Sequence, residues 1–427
     1  MRKITKEYCF CGALVMVAIT LPFANLMINT ISIWALIFFW LISNSLKEKI
    51  QLLKNNKLIW LFSSLFIMYG VGLLYGDLQL GLFEIEKRLS LLIFPIVIGT
   101  APLISSKKLN ITLISFSLSC VLISLICLIN TFYINYSQGI DFFSDKFYTV
   151  NSYGTIYTYN NSWLFSNENL TKTYGFHPSY FSVYTIFSIF ILIYTLIKNG
   201  NLGKLAKSLI VVAIVHLLIF NFFLASRIGI LSLFILLISA MLFYAHKKEK
   251  LLKGFVITFL FVLTVVSFLQ LFTPIREKFK SLVSSSAENF QFSGGSSRFQ
   301  LLESVFVVIK DNVLIGVGTG DLQPALQKIY ESENFIIPFR YQHNPHNQFL
   351  DIAATLGILG SLFFLISLLY PMYLSYKTNN YLYLIFILLF VFLSLVECPL
   401  AMQKGVVWYA FFNSLFAFNS LKKVVEL

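Results

Sequence analysis

The chain is 427 residues long, 57% hydrophobic and only 12% charged, with 45 phenylalanines and a formal net charge of +13. Soluble domains carry about 25% charged residues, and no soluble core hides this much Phe, Leu and Ile. The composition therefore excludes a water-soluble enzyme and points to lipid as the solvent.

A spanning helix needs about 20 mostly apolar residues. In chain order, runs near that length occur at 9–27, 29–46, 58–75, 89–104, 110–134, 179–197, 208–225, 227–245, 254–272, 346–371, 380–396 and 405–421. They predict an all-α membrane protein of about twelve transmembrane helices, forming one polytopic domain over 1–427. The seventh and eighth runs turn at Ser226-Arg227. No A-x-A pattern follows the first run, so "MRKITKEY" is expected to flank a retained anchor.

Lys and Arg set the orientation. With the N-terminus inside, the short inner segments hold 19 of the 32 basic residues. Both termini are thus expected in the cytoplasm. The same charge favours contact with anionic membrane lipids. It does not indicate nucleic acid, because no basic soluble domain exists to hold any. Cys9, Cys11, Cys120 and Cys127 lie in or beside spans and Cys398 stands alone, so no disulfide is expected. No Cys/His cluster has zinc spacing.

Two outer loops are long enough for chemistry. The first, 134–178, is dense in Tyr, Asn, Ser and Thr. Its stretch from Phe147 to Tyr159 favours strand, and its composition suits either sugar binding or an interfacial aromatic belt. The second, 273–345, precedes the tenth run. There "SRFQLLESVFVVIKDN" places Phe299, Leu302, Phe306 and Ile309 on one helical face. A glycine run at Gly316, Gly318 and Gly320 reads as a turn, and a short helix follows through "LQPALQKIYESE".

Arginine is distributed unevenly. Of six arginines, five fall outside: Arg88, Arg227, Arg276, Arg298 and Arg340. Topology needs only positive charge, whereas the guanidinium fork grips phosphate oxygens bidentately. An outer arginine set suggests an anionic ligand; ordinary salt bridges to outer acids are the alternative. Arg227 lies between two spans with no acid nearby in sequence, and a charge at that depth marks a functional candidate. The spans are otherwise nearly free of charge, Asp351 and Glu397 being the nearest exceptions.

In "YQHNPHNQFLDIAATLGILG" (Tyr341–Gly360), His343 and His346 stand three residues apart before an apolar run. Asn344 is expected as the N-cap and Pro345 at the first helical position, which would put His346 in the first turn of the tenth span. Imidazole is suited to moving protons near neutral pH; the alternative is a pair of polar interfacial residues.

Taken together, "ASRIGIL" (Ala225–Leu231), "SRFQLLESVFVVIKDNVLIGVGTGDL" (Ser297–Leu322) and "HNQFLDIAATLGILG" (His346–Gly360) resemble the O-antigen ligase family, which also takes in O-antigen polymerases and protein O-oligosaccharyltransferases. "HPSYFS" at His177–Ser182 and "EKRLSLLIFP" at Glu86–Pro95 resemble features of subgroups. The resemblance implies a GT-C-like fold and a reaction at the periplasmic face of the bacterial inner membrane. There a glycan passes from an undecaprenyl-pyrophosphate-linked donor to a hydroxyl of a lipid A-core or other glycan or protein acceptor, without a cofactor, a metal or a nucleotide sugar. It implies His346 as the catalytic residue with His343 assisting, and Arg227, Arg298 and, less closely, Arg88 at the donor pyrophosphate. His177, Tyr180 and Asn347 are candidate acceptor or sugar contacts. A polymerase and a protein O-glycosyltransferase would use the same residues. A lipid-linked sugar flippase would instead call for ionisable residues along a mid-membrane path and for interrupted helices.

Overall fold

A computed structural model describes residues 2–23, 25–102, 104–139, 147–150, 156–159, 164–247 and 294–425. The ninth predicted run, Arg276 and the first part of the 273–345 loop lie outside these residues. The chain divides into two compact units, one of residues 1–21, 26–116 and 286–427, the other of 22–25 and 117–285.

The first unit starts with α1 (Arg2–Thr20), α2 (Leu26–Ser43), α3 (Leu46–Asn55), α4 (Lys57–Gly72), α5 (Leu78–Arg88) and α6 (Ser90–Gly99). α7 (Ser106–Ser137) begins in this unit and ends in the second. The second unit adds a hairpin, β1 (Phe147–Val150) antiparallel to β2 (Ile156–Tyr159), then α8 (Asn167–Thr171), α9 (Pro178–Lys198), α10 (Lys204–Leu224) and α11 (Arg227–Lys247). The first unit resumes with α12 (Gly294–Asp311), α13 (Leu322–Ser332), α14 (Ile336–Tyr341), α15 (Gln348–Lys377), α16 (Tyr381–Ser394) and α17 (Gln403–Val425).

Among the described residues α2, α7, α9, α10 and α15 are long and apolar enough to cross a membrane, and α4, α16 and Arg227–Leu242 of α11 are shorter apolar helices. α2 turns Met27, Ile31, Trp34 and Phe38 outward, and α10 does the same with Leu205, Leu209 and Val212. Such apolar stripes are tolerable only against lipid or another apolar surface. The chain is a polytopic membrane protein. The fourth predicted run, 89–104, is a departure: it forms the ten-residue α6 with Pro95 inside it. At 1.5 Å per residue this helix is about 15 Å long, half of a bilayer core of about 30 Å.

In the first unit α17 is the central helix, with Val406 to Ala417 buried without a break. Its rings interlock with those of α16 and α6: Tyr409 stacks on Phe390 at 4.1 Å, Trp408 meets Phe386 at 4.8 Å and Phe411 meets Phe94 edge-on at 5.4 Å. In the second unit α9 holds that place, buried from Tyr180 to Leu192.

The amphipathic helix expected over 297–312 exists as α12. Leu301, Val305 and Val308 form its core face, while Phe299 and Phe306 are exposed. Periodicity locates two apolar stripes here; it does not say which one meets protein. Sequence periodicity did not indicate α5 and α14, which are eleven and six residues long.

α15 is not the continuous span expected. Gly357 breaks it, with φ +65° and ψ −159°. The glycine loop after α12 docks into the break. Val317 N and Gly318 N donate to Ala354 O (2.9 Å) and Thr355 O (3.0 Å), and Ile358 N donates to Val313 O (2.9 Å). Backbone groups freed inside a membrane must be satisfied by protein, and this loop does so. A Cβ on Gly357 would lie 2.3 Å from Leu314 O, and one on Gly316 2.3 Å from the Thr355 carbonyl carbon. The loop is also fixed to the α4–α5 corner: Thr319 N donates to Gly72 O (3.1 Å), and Asp77 N to Asp321 Oδ2 (3.0 Å).

Candidate active site

His346 lies just before α15 rather than in its first turn. Asn347 is the cap, its Oδ1 accepting from Phe349 N (3.0 Å) and Leu350 N (3.1 Å). Asn344, the expected cap, instead accepts from His346 N at 3.0 Å. His346 has a left-handed backbone, φ +48°. Two asparagines three residues apart offered two caps, and the turn at His346 selects the second.

That turn aims the imidazole at the link between α16 and α17. His346 Nδ1 lies 3.1 Å from Glu397 Oε2. The Glu397 side chain is 8% exposed and that of His346 30%. A buried carboxylate holding Nδ1–H leaves Nε2 as the acceptor and stabilises the imidazolium that forms when Nε2 takes a proton. The two following residues grip the same link. Asn347 Nδ2 donates to Leu395 O (3.2 Å), and Gln348 Oε1 accepts from Leu400 N (2.6 Å). Gln348 is fully buried and also donates through Nε2 to Asp351 Oδ1 at 3.1 Å.

His343 lies beside this pair, its ring 5.8 Å from that of His346 and edge-on to it. Its carbonyl accepts from Tyr330 Oη at 3.1 Å. Burial, and then the neighbouring His346, push its imidazole below the ordinary histidine value, which favours the neutral ring.

In the same unit a cavity of about 270 Å³ is lined by Tyr69, Glu84, Lys87, Arg88, Gln323, Asn344 and Asp351, among others. Asp77 caps α5 by accepting from Leu80 N at 2.8 Å. The helix therefore ends on Lys87 and Arg88, where cations complement its C-terminal dipole. Arg88 is 4% exposed, ion-paired with Glu84, and lies over the Tyr69 ring at 4.3 Å. Lys87 Nζ reaches the other Glu84 oxygen at 2.6 Å. Burial pushes the Glu84 carboxyl up, but Arg88 and Lys87 more than reverse this and hold it below its ordinary value.

The remaining candidates are dispersed. Arg298 is exposed on α12 of the first unit. In the second unit, Ala225 closes α10 in a left-handed conformation, Ser226 Oγ accepts from Gly229 N at 3.3 Å, and half-buried Arg227 opens α11. His177 precedes α9, its ring 5.9 Å from that of buried Tyr180. The Asn347 side chain, a candidate sugar contact, is engaged by the helix cap and Leu395. Glu397, Gln348, Glu84 and Tyr69 were not singled out as site residues. For Glu397 a signal existed, a carboxylate at the end of an apolar run, and Glu84 is one of the outer acids expected to pair with the arginines, as it does with Arg88; for Gln348 and Tyr69 there was none.

These features define a polytopic membrane protein with a histidine–carboxylate pair and a polar cavity built around one broken helix. Residues 209–365 match the family model described as O-antigen ligase. Over that segment the chain is similar to this family, whose members are membrane glycosyltransferases of ligase and polymerase kind. The matched segment includes Arg227, Arg298, the glycine loop, both histidines and the break at Gly357. No curated protein matches the chain.

Proposed function

We propose that the protein transfers a glycan from a polyprenyl-pyrophosphate-linked donor to an acceptor hydroxyl, at the outer face of the cytoplasmic membrane, in surface polysaccharide assembly. The observation that carries this reading is the His346–Glu397 pair. The acceptor oxygen attacks the anomeric carbon, and its proton passes to His346 Nε2. The bond from that carbon to the pyrophosphate oxygen breaks, and its electron pair leaves with the pyrophosphate. Glu397 holds the imidazole ring in the required tautomer, and His343, kept neutral, orients it. Arg227 and Arg298 are assigned to the departing charge on their motif positions, since a guanidinium stabilises developing anionic oxygen. Arg88 was a third candidate, but its ion pair with Glu84 directs it to the cavity.

Transport is the second reading, because α15 is interrupted as that reading requires. Here, however, the freed backbone groups are taken up by the glycine loop. The test is reconstitution of the purified protein with a polyprenyl-pyrophosphate glycan and, in separate arms, a lipid A-core, a second lipid-linked glycan or a Ser/Thr peptide. Glycan appearing on one of these acceptors supports transfer and identifies its kind. Movement of donor between leaflets with no acceptor glycosylated supports transport.

A further inference from the structure

We propose that the cavity beside Arg88 is the subsite for a neutral sugar ring of the acceptor, recognised through its hydroxyls, and not a seat for pyrophosphate. At about 270 Å³ it lies at the bottom of the size range of small-molecule pockets, about 300–1,000 Å³. That is room for one sugar ring. The charges lining it balance: Lys87 and Arg88 stand against Glu84 and Asp351. Glu84 already takes up both cations, so a pyrophosphate would meet two carboxylates and no spare cation.

A hydroxyl both donates and accepts, and carboxylates with amides answer both needs. Arg88 Nε and Gln323 Nε2 are buried and have no hydrogen-bond partner among the described residues. Both are donors, and both belong to side chains lining this cavity. A sugar hydroxyl oxygen is the acceptor they fit.

The cavity is coupled to the histidine. Asn344 lines it, and the Oδ1 of Asn344 accepts from His346 N. Asp351 lines it too, and through Gln348 it reaches Leu400, three residues beyond Glu397. A sugar held there shares its supports with the proposed proton acceptor. Assigning that sugar to the acceptor substrate rests on the transfer reading; the binding of a neutral sugar does not.

The experiment is saturation-transfer NMR on the purified full chain in phosphatidylglycerol–phosphatidylethanolamine nanodiscs. The probes are methyl glycosides of glucose, galactose and N-acetylglucosamine, with inorganic pyrophosphate as competitor. At least one glycoside should bind saturably and resist displacement by pyrophosphate. Its affinity should fall at least tenfold in Gln323→Leu and in the isosteric Asp351→Asn. No saturable glycoside, displacement by pyrophosphate, or wild-type affinity in both variants would overturn the proposal. In the transfer assay the glycoside should compete with acceptor; competition with donor would overturn the acceptor assignment. Glycoside binding without any transfer would refute the transfer reading and leave the neutral-sugar site standing.

Discussion

His346 Nδ1 and Glu397 Oε2, 51 residues apart in sequence, lie 3.1 Å from each other. Asn347 and Gln348 tie the same α16–α17 link to the start of α15. Three consecutive side chains therefore fix the carboxylate relative to the imidazole. Glu397→Gln keeps the shape but removes the charge that stabilises the imidazolium. Neutralising the carboxylate that orients a catalytic imidazole costs up to about 10⁴-fold in a Ser-His-Asp triad, so transfer should fall at least tenfold at unchanged donor affinity. A Glu397→Gln enzyme with wild-type kcat would detach Glu397 from the mechanism.

The break in α15 gives a stability prediction. Gly357→Ala would force an L-residue into φ +65° and press its Cβ against Leu314 O. That combination of φ and ψ is essentially confined to glycine and costs another residue about 1–3 kcal/mol, and the overlap adds to it. The thermal midpoint of the detergent-solubilised protein should drop by several degrees. Gly12→Ala meets nothing within 4 Å and should leave it unchanged or higher. Equal midpoints for the two variants would contradict the docked-loop geometry.

His343 supplies a pH dependence. Its folded pKa is depressed, so below the unfolded histidine value of about 6.5 the unfolded chain binds more protons than the folded one. Stability then falls as pH drops from about 7 towards 5. His343→Gln removes this contribution, so the midpoint of the variant should fall less over that range. Parallel curves for wild type and variant would refute it.

Orientation is tested by labelling. If basic residues set topology, a cysteine at Asn334, after α13, should react with an impermeant maleimide from outside. One at Asn379, between α15 and α16, should be protected until the cells are opened. The reverse pattern would move the proposed active site to the cytoplasmic face.

The arginines test donor binding. Lys keeps the charge but loses the bidentate fork. Arg227→Lys and Arg298→Lys should each lower transfer by more than tenfold at normal protein level, mainly through donor affinity. Near wild-type rates in both would leave the pyrophosphate assignment without support.

Legibility in the sequence followed the range of the interactions. The spans at α2, α4, α9, α10 and α16 were readable because hydropathy is a local sum. Strand character over Phe147–Tyr159 was readable from its aromatic and β-branched residues, whereas its pairing as a hairpin was not. α6 was read as too long because its apolar run continues past Gly99 and Thr100, where the helix stops. The break at Gly357 was hidden because it depends on Leu314 and Val313 docking from more than 40 residues away. The histidines stood out by rarity. Their surroundings did not, since Glu397, Glu84 and Gln323 come from separate elements and acquire meaning only when these pack together. Which of the two apolar stripes of α12 meets protein was not legible, because periodicity alone does not distinguish them.

The central claim is that His346 carries the acceptor's proton, and one comparison tests it most directly. Purified wild type, His346→Gln and His343→Gln are given the same polyprenyl-pyrophosphate glycan and acceptor, and the initial rate of glycan transfer is measured. General-base help is worth about 10²- to 10⁴-fold. His346→Gln, which keeps a hydrogen bond but cannot take a proton, should lose at least a hundredfold in kcat while still binding donor. His343→Gln should lose much less. Full activity in His346→Gln, with or without loss in His343→Gln, would contradict the account.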